Sequence, residues 1–484
     1  MRDRSFWMLL IALLALTAVR IAAASAYPLV DDETYYWVWS RHLAWGYPDH
    51  PPAVAAMIRV TTALAGDSPL GVRLGPILMA LITSLLMYDL ARQMFDRRAG
   101  LLAAAGYQII PIAAVGAIIA APDAPFILFW VLAVWCLWRA RTSGRAWAWY
   151  GAGLAGGLCL MSKLSALFLG ASLAGFLLFV PSERRWLRRP EPYRGAAIAL
   201  TVVFPLVAWN SRHDAITFDK LLNPAHWIDL HGPVREAAAF VGASAIYYGP
   251  ITLVLLLAAL AASISLGRRG DDRFALLAWL AAPLIGFTAA TSFDGIPKPH
   301  WPAPAYLMLL PAAAALWPMV RQRRGWRRAV TAGVALNIIV VIVLYLLPFI
   351  PSSPAAQSLR GWEQASSTVA QMIEQRGNPE WFVLTRTYQD ASQLSFYLRE
   401  RYLITPAGGD NEIVMRLRPR SMLDRNAIFI TDDQPGPGLP LHLMFWEVEQ
   451  RPDIEVQTGA GVRRFQVFLG YGFRGLPRVK ISPI

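Results

Sequence analysis

The chain has 484 residues, of which 56% are hydrophobic and 16% charged, and its 45 Lys and Arg exceed its 32 Asp and Glu by 13. Soluble domains carry about 25% charged residues, so a chain of this length must place much of its apolar surface against lipid. The same numbers exclude intrinsic disorder and coiled coil. The two cysteines, Cys136 and Cys159, lie in apolar runs without a CxxC or Cys/His cluster. This pattern argues against a disulfide framework, a zinc site or thiol catalysis.

The basic residues occur in clusters that alternate with apolar runs. The clusters lie at residues 2–4, 92–98, 139–145, 184–189, 268–273 and 321–328. Short cytoplasmic loops accumulate Lys and Arg, and this bias fixes the orientation of membrane helices. We therefore interpret the positive charge as a topology signal and expect no nucleic-acid partner.

The apolar runs between these clusters predict transmembrane helices, because about 20 apolar residues span the hydrocarbon core. We expect about eleven, near residues 6–26, 71–91, 100–120, 125–139, 147–162, 164–181, 196–210, 240–266, 274–292, 301–320 and 329–350. An odd number of spans that starts inside leaves the C-terminus outside. The first run resembles a signal peptide, but Arg20 interrupts its end, and we expect it to remain as a span.

The composition changes from Pro351 onward, where no further spanning run occurs. Short strands are predicted at Trp381 to Thr385, Ala427 to Thr431 and Val462 to Leu469, a helix at Ala391 to Arg399 and a loop at Pro435 to Gly438. The sequence thus predicts an α-helical polytopic membrane domain over residues 1–350. A small α/β domain on the outer, periplasmic face follows over residues 351–484.

Three consecutive acids, Asp31, Asp32 and Glu33, follow the first predicted span directly. Partial desolvation at the membrane boundary can raise the pKa of a carboxyl group towards a value that suits a general base. A solvated acidic cap with a belt of interfacial aromatic residues explains the same pattern. The residues alone leave both interpretations open.

Asp123 lies in a short turn between two predicted spans, flanked by Pro122 and Pro125. A charge at this depth is costly unless it faces a wet cavity, so a functional site is the default interpretation.

Lysine is rare in this chain. The four lysines are Lys163, Lys220, Lys298 and Lys480, and the first three fall in predicted outer loops. A compact ammonium group suits a phosphate as a point charge. A single lysine is more simply a snorkelling side chain, but the set predicts a concave outer site that binds an anion.

These residues carry a resemblance to a known family. The run from Asp32 through Trp37 to Pro52 resembles the first outer loop of bacterial GT-C superfamily membrane glycosyltransferases. The closest branch is the family 39 and aminoarabinose transferase-like proteins, including lipopolysaccharide galacturonosyltransferases. Other similar stretches are Pro122 to Pro125, Leu158 to Lys163 with Ser165, and Lys298 to Tyr306, and the segment Tyr388 to Leu398 is similar in style.

The resemblance implies an inverting transfer of a sugar from a polyprenyl-phosphate donor, within the inner (plasma) membrane and at its periplasmic face. The implied acceptor is lipid A, lipopolysaccharide or another envelope molecule. An acid in the first outer loop would remove the proton of the acceptor hydroxyl while polyprenyl phosphate leaves. Asp32 is the predicted base and Glu33 the substitute candidate, while Asp31 keeps the choice among the three acids open.

The resemblance also implies residues for the donor and the sugar. Cationic groups should stabilise the leaving phosphate, and the predicted set is Lys163, Lys298 and His300. The residues predicted to contact the sugar or acceptor are Asp49, His50, Asp123, Trp301 and Tyr35. The residues identify no certain cofactor, and dependence on a divalent cation, Mg²⁺ or Mn²⁺, stays open, with Asp32 and Asp123 as its ligands.

Several alternatives remain open at this stage. Aminoarabinose transferases tend to carry Glu-Lys-Pro where this chain has Asp49-His50-Pro51. The amino sugar is therefore less favoured than a uronic acid or a neutral hexose. A protein O-glycosyltransferase is the alternative acceptor class. A transporter or flippase of lipid-linked sugars is the alternative mechanism, and it should show broken helices or repeats near the bilayer midplane.

Overall fold

The computed structural model describes residues 4–222, 232–295, 298–350, 353, 359–377, 381–407, 422–432, 440–458 and 461–476. The chain forms two compact units: residues 1–24, 45–57 and 73–345 make the first, and residues 25–44, 58–72 and 346–484 the second. The predicted boundary between residues 350 and 351 stays a prediction, and the contacts group two earlier segments with the C-terminal region. The predicted loop Pro435 to Gly438 and Lys480 lie outside the described residues.

Helices dominate the chain up to residue 346. In chain order they are α1 (Arg4–Ala26), α2 (Asp31–Arg41), α3 (Ala53–Ala65), α4 (Pro69–Met94), α5 (Arg97–Ile109), α6 (Pro111–Gly116), α7 (Asp123–Ser143), α8 (Ala146–Leu160), α9 (Leu167–Phe179), α10 (Pro190–Asn210), α11 (Ile216–Leu222), α12 (Pro233–Tyr248), α13 (Pro250–Arg268), α14 (Asp272–Thr291), α15 (Ala303–Leu307), α16 (Leu310–Val320) and α17 (Arg324–Leu346). Short 3₁₀ turns lie at Leu164–Ala166, Pro181–Arg188, Ser292–Asp294 and Leu347–Phe349. Eight helical segments of the described chain are long and apolar enough to cross a membrane, or nine with one sharply bent pair. The polytopic helical architecture is confirmed.

The predicted apolar runs coincide with helical segments, several of which are divided, and the largest correction is at residues 240–266. This run contains two helices, α12 and α13, which are divided at Gly249 and Pro250. Gly249 has a φ of +82°, and Pro250 lacks the N–H that a continuous helix would use. A Cβ atom at Gly249 would lie 1.8 Å from Asn337 Oδ1. Two other predicted spans are short, since α8 has 15 residues and residues 100–120 divide into α5 and α6.

The core of the first unit brings α8 against both α7 and α10. A Cβ atom at Gly153 would lie 2.0 Å from the carbonyl oxygen of Gly195, so the two helices meet backbone to backbone. Small residues allow such close approach in membranes. Cys136 and Cys159 are both buried. The contact between Gly153 and Gly195 fixes the position of α8. Lys163 lies three residues after the end of this helix.

The C-terminal region contains a five-stranded mixed sheet. Its strands are β1 (Phe382–Thr385), β2 (Ile404–Pro406), β3 (Ala427–Asp432), β4 (Phe445–Thr458) and β5 (Gly461–Phe473), and its helices are α18 (Trp362–Glu374), α19 (Tyr388–Leu398) and α20 (Leu441–Met444). The order is β2-β1-β3-β5-β4, with β1 parallel to β2 and β3, and β5 antiparallel to β3 and β4. The predicted small α/β fold is confirmed, while β2, β4 and α18 were not predicted.

The two faces of this sheet have separate apolar cores. Val369 of α18 and Leu394 of α19 pack on one face with Val383 and Val467. Phenylalanine side chains, including Phe382, fill the other face. Neighbouring residues of β1 therefore enter opposite cores, as the two-residue period of a strand requires. Within the same unit α19 also packs against α2, the helix that carries the three consecutive acids.

Candidate functional site

The acids Asp31, Asp32 and Glu33 form the first turn of α2. Carboxylates at this position interact favourably with the unpaired N–H groups and the positive end of the helix dipole. Glu33 is fully buried, and its Oε2 accepts a hydrogen bond from the backbone N–H of Val30 at 3.0 Å. The Asp32 side chain is exposed. Glu33 thus closes the start of the helix, and Asp32 presents its carboxylate to solvent.

The carboxylate of Asp31 accepts a hydrogen bond from the C-terminal region. Gln393 of α19 donates through Nε2 to Asp31 Oδ1 at 2.7 Å and to the carbonyl oxygen of Leu29 at 3.2 Å. Gln393 is fully buried. Sequence reasoning missed this residue, although the segment Tyr388 to Leu398 had shown a resemblance.

Aromatic rings pack α2 within the second unit. Tyr35 is 3% exposed, and its ring centroid lies 4.7 Å from that of Tyr388. Trp37 packs edge-on against Phe396 at 5.2 Å and donates from Nε1 to Asp67 at 2.9 Å. The structure gives Tyr35 a packing role, and its predicted contact with a sugar stays a prediction.

In the first unit, Asp123 and Lys163 form an ion pair. Asp123 is the first residue of α7, and Lys163 lies between α8 and the turn at Leu164–Ala166. Lys163 Nζ lies 2.9 Å from Asp123 Oδ1, and the two side chains are 9% and 22% exposed. The start of α7 and the end of α8 therefore bring together Asp123 and Lys163, which the sequence indicated separately.

Two histidines lie near this ion pair. His50 and His300 are partly buried loop residues. Burial and the positive charge of Lys163 lower the pKa of His50 to about 4. The same two causes, in the same order, lower the pKa of His300 to about 4. Both imidazoles are thus neutral at pH 7 and can donate or accept a hydrogen bond.

The remaining predicted residues of the first unit border this cluster. Asp49 interacts electrostatically with His50, and Lys298 with His300. Lys298 is exposed, whereas Asp49 and Trp301 are partly buried. We call Asp49, His50, Asp123, Lys163, Lys298 and His300 the basic cluster.

Hydrogen bonds hold the loops of the basic cluster. The N–H of Ala53 donates to the carbonyl oxygen of Met161 at 3.0 Å, two residues before Lys163. The hydroxyl of Tyr248 donates to the carbonyl oxygen of Pro299 at 3.1 Å. Tyr248 is fully buried and was missed from the sequence, where only its place next to Gly249 and Pro250 marks it.

The metal ligands Asp32 and Asp123 stay a prediction from the sequence. Asp32 belongs to the second unit and Asp123 to the first. Within the described ranges, no group of three or more His, Cys, Asp or Glu side chains is arranged to hold a metal ion. A divalent cation stays an alternative from the sequence.

Comparison with known proteins places this geometry in context. A family model described as dolichyl-phosphate-mannose-protein mannosyltransferase matches residues 49–209. The lipid A galacturonosyltransferase RgtD of Rhizobium johnstonii is 26% identical over 392 residues, which cover 78% of this chain and 80% of RgtD. An undecaprenyl phosphate-α-4-amino-4-deoxy-L-arabinose arabinosyl transferase of Pseudomonas fluorescens is 28% identical over 315 residues, covering 59% of this chain and 54% of the relative.

A solved structure shares the fold over nearly the whole chain. ArnT from Cupriavidus metallidurans, in a crystal structure bound to undecaprenyl phosphate, has a TM-score of 0.65. The match covers 96% of this chain and 98% of ArnT at 15% identity, a likeness that shows the fold. These findings confirm the resemblance in the sequence: the chain is similar to aminoarabinose and galacturonic acid transferases, and it shares the fold of ArnT.

Proposed function

We propose that the protein is an inverting glycosyltransferase that moves a sugar from a polyprenyl-phosphate donor to lipid A, lipopolysaccharide or a related glycolipid. The names of two relatives support the substrate classes, since one acts on lipid A and the other uses an undecaprenyl-phosphate sugar. One observation carries the proposal. The chain holds an exposed carboxylate at Asp32 and, separately, a lysine fixed by a carboxylate at Lys163 and Asp123.

Asp32 is the proposed general base. An acceptor hydroxyl attacks the anomeric carbon, its proton passes to the carboxylate, and the bond from carbon to the phosphate oxygen breaks. A base must reach the hydroxyl that it deprotonates. Asp31 and Glu33 accept hydrogen bonds from Gln393 and Val30. Asp32 is the most exposed of the three acids, which favours it for the chemical step.

The basic cluster is the proposed site for the leaving phosphate. Negative charge grows on this phosphate as the sugar departs, and nearby donors that are already oriented stabilise it. The Lys163 ammonium has three N–H donors, of which Asp123 accepts one. Neutral His50 and His300 can add hydrogen bonds without further positive charge, and exposed Lys298 adds long-range attraction.

The orientation in the membrane is part of the proposal. The Arg clusters mark the cytoplasmic ends of the spans, and this supports a periplasmic location for the acidic turn and the C-terminal region. A C-terminal alkaline phosphatase fusion should be active, and a fusion that is active only in the cytoplasm would contradict this orientation.

The function is tested with the purified full-length protein in detergent. Candidate polyprenyl-phosphate sugars, beginning with galacturonic acid, are incubated with lipid A, and released polyprenyl phosphate and glycosylated lipid A are measured. We expect both products in equal amounts, with inverted configuration at the anomeric carbon. Movement of intact donor across vesicles without release of polyprenyl phosphate would instead identify a transporter.

A further inference from the structure

We propose that Gln393 is a positioning residue that fixes the acidic turn of α2 and thereby orients the Asp32 carboxylate towards the acceptor. This inference rests on the proposed function and deepens it. It assigns a catalytic contribution to the C-terminal region, which lies far away in sequence: Gln393 and Asp31 are 362 positions apart.

The hydrogen bonds of Gln393 reach residues on both sides of Val30, the residue that precedes α2. Its Nε2 donates to the side chain of Asp31 and to the carbonyl oxygen of Leu29, so one amide group contacts the residues before and after Val30. Glu33 bonds the N–H of Val30 from within the helix. Two fully buried side chains therefore fix the backbone from Leu29 to Glu33, the segment that contains Asp32.

If stability were the only requirement, the amide group of Gln393 would be an unfavourable side chain at this position. Its Oε1 is buried and has no hydrogen-bond partner among the described residues. An unsatisfied buried acceptor is destabilising. An apolar side chain of the same size would avoid this penalty, and residues that lower stability tend to occur where function requires them.

Two aromatic contacts between α19 and α2 lie away from the acids. Tyr388 and Phe396 pack against Tyr35 and Trp37, which lie further along α2. Asp390 of α19 interacts electrostatically with Asp31. Gln393 adds directional hydrogen bonds from α19 to the acidic turn.

The test uses Gln393→Met in the full-length protein. Methionine keeps the length and burial of the side chain but cannot donate a hydrogen bond. We expect kcat to fall about tenfold to a hundredfold because the base is misplaced, with the KM for the donor unchanged. The thermal midpoint should stay within roughly 2 °C of the parental value, since an unsatisfied acceptor is removed together with the donors.

Ser395→Ala is the matched control. Ser395 lies on the same helix, is also buried, and bonds the carbonyl oxygen of Ala391 in its own helix. We expect parental kcat for this variant.

A double-mutant cycle separates positioning from packing. If Gln393 acts through Asp31, Asp31→Ala combined with Gln393→Met should lose less activity than the product of the two single losses. Independent losses that multiply would overturn the inference, as would parental kcat in Gln393→Met or a fall in kcat that matches a fall in thermal midpoint. Absence of transfer by the parental protein would overturn the proposed function as well, so the parental rate is measured first.

Discussion

The acidic turn of α2 and the ion pair at the start of α7 use the same residue type in opposite ways. In the acidic turn, Asp31 and Glu33 accept hydrogen bonds from an amide and a backbone N–H, and Asp32 is exposed. At α7, Asp123 is bonded to Lys163, and two neutral histidines lie nearby.

The difference shows how environment assigns roles to carboxylates. A carboxylate that faces solvent can accept a proton from a substrate. A carboxylate bonded to an ammonium group remains charged and holds that group in place. We therefore assign proton transfer to Asp32 and the orientation of Lys163 to Asp123.

The largest expected effect is at Asp32. Asp32→Asn keeps the shape of the side chain but cannot accept the proton of the acceptor hydroxyl, so transfer should fall by about a hundredfold or more. Donor binding, measured by competition with polyprenyl phosphate, should be retained.

Asp31→Asn is the control for this variant. Its amide can still accept the hydrogen bond from Gln393, so transfer should fall much less. Parental rates in Asp31→Asn, Asp32→Asn and Glu33→Gln together would reduce the acidic turn to a solvated cap and refute the mechanism.

The next effect should separate the two lysines of the basic cluster. Lys163→Met removes a buried charge and should slow transfer by about a hundredfold. Lys298→Ala should cost about tenfold or less, because Lys298 is exposed and its charge is screened. Equal losses at the two positions would contradict the assignment of Lys163 to the phosphate.

A double variant distinguishes stability from function at the same pair. Lys163→Met leaves Asp123 without its partner, which should lower stability by about 1 to 3 kcal/mol. Adding Asp123→Asn should restore the thermal midpoint but not transfer. Recovery of transfer would indicate that the ion pair is only structural.

A smaller effect concerns Asp390, which lies on α19 of the second unit and is 8% exposed. The pKa of Asp390 is raised to about 7, chiefly by burial; the negative charges of Asp432 and Asp31 add to this shift, while a hydrogen bond with Thr387 and the charge of Arg463 oppose it. The folded state therefore favours the protonated acid, and stability is lost as pH rises from about 4 to 7.

Asp390→Asn tests this dependence. The variant should exceed the parental protein by on the order of 1 to 3 kcal/mol at pH 8 and match it near pH 4.5. Thermal midpoints of the purified protein at the two pH values provide the measurement. A midpoint at pH 8 that does not rise would contradict the expected burial of a charge.

The smallest expected effect is a loss of stability as pH falls, the opposite of the dependence expected for Asp390. It concerns two histidines of the first unit. The pKa values of His50 and His300 are lowered to about 4 by burial and by Lys163. The stability that depends on neutral imidazoles is complete above pH 6.5 and is lost as pH falls towards 4. Because both side chains are partly exposed, each contributes on the order of 1 kcal/mol.

The variant His50→Gln/His300→Gln should reduce the acid-induced fall of the thermal midpoint between pH 6.5 and 4.5. His442→Gln, in the C-terminal region, is the control and should leave this fall unchanged. If the thermal midpoints of the parental protein and the double histidine variant fall equally, groups other than His50 and His300 control stability at acid pH.

The sequence predicted the helices and the two charged segments because both signals are local. A long apolar run indicates a span. A charged residue such as Asp123 at the end of a span is costly, and this marks it whichever residue it pairs with. The division of residues 240–266 was missed because its cause, a glycine at positive φ beside Asn337, depends on a residue almost ninety positions away.

Long-range pairing was the other limit. Nothing in the neighbourhood of Asp31 indicates that its partner is Gln393, since the bond depends on how α19 packs on α2. The buried position of Tyr35 was missed for the same reason. An aromatic residue beside three acids fits a binding surface as well as a core, and its packing against Tyr388 depends on the same contact between α19 and α2.

The glycine contact between α8 and α10 gives the first unit a mechanical weak point. Gly153 lies seven residues before the end of α8 at Leu160, and seven helical residues span about 10 Å. Any side chain at Gly153 would collide with the backbone of α10 and force α8 to tilt or shift, moving the loop at its far end. Because α8 is rigid, a tilt at Gly153 produces a larger displacement at the end of the helix. A methyl group added at Gly153 should therefore disturb the proposed phosphate site without contacting it.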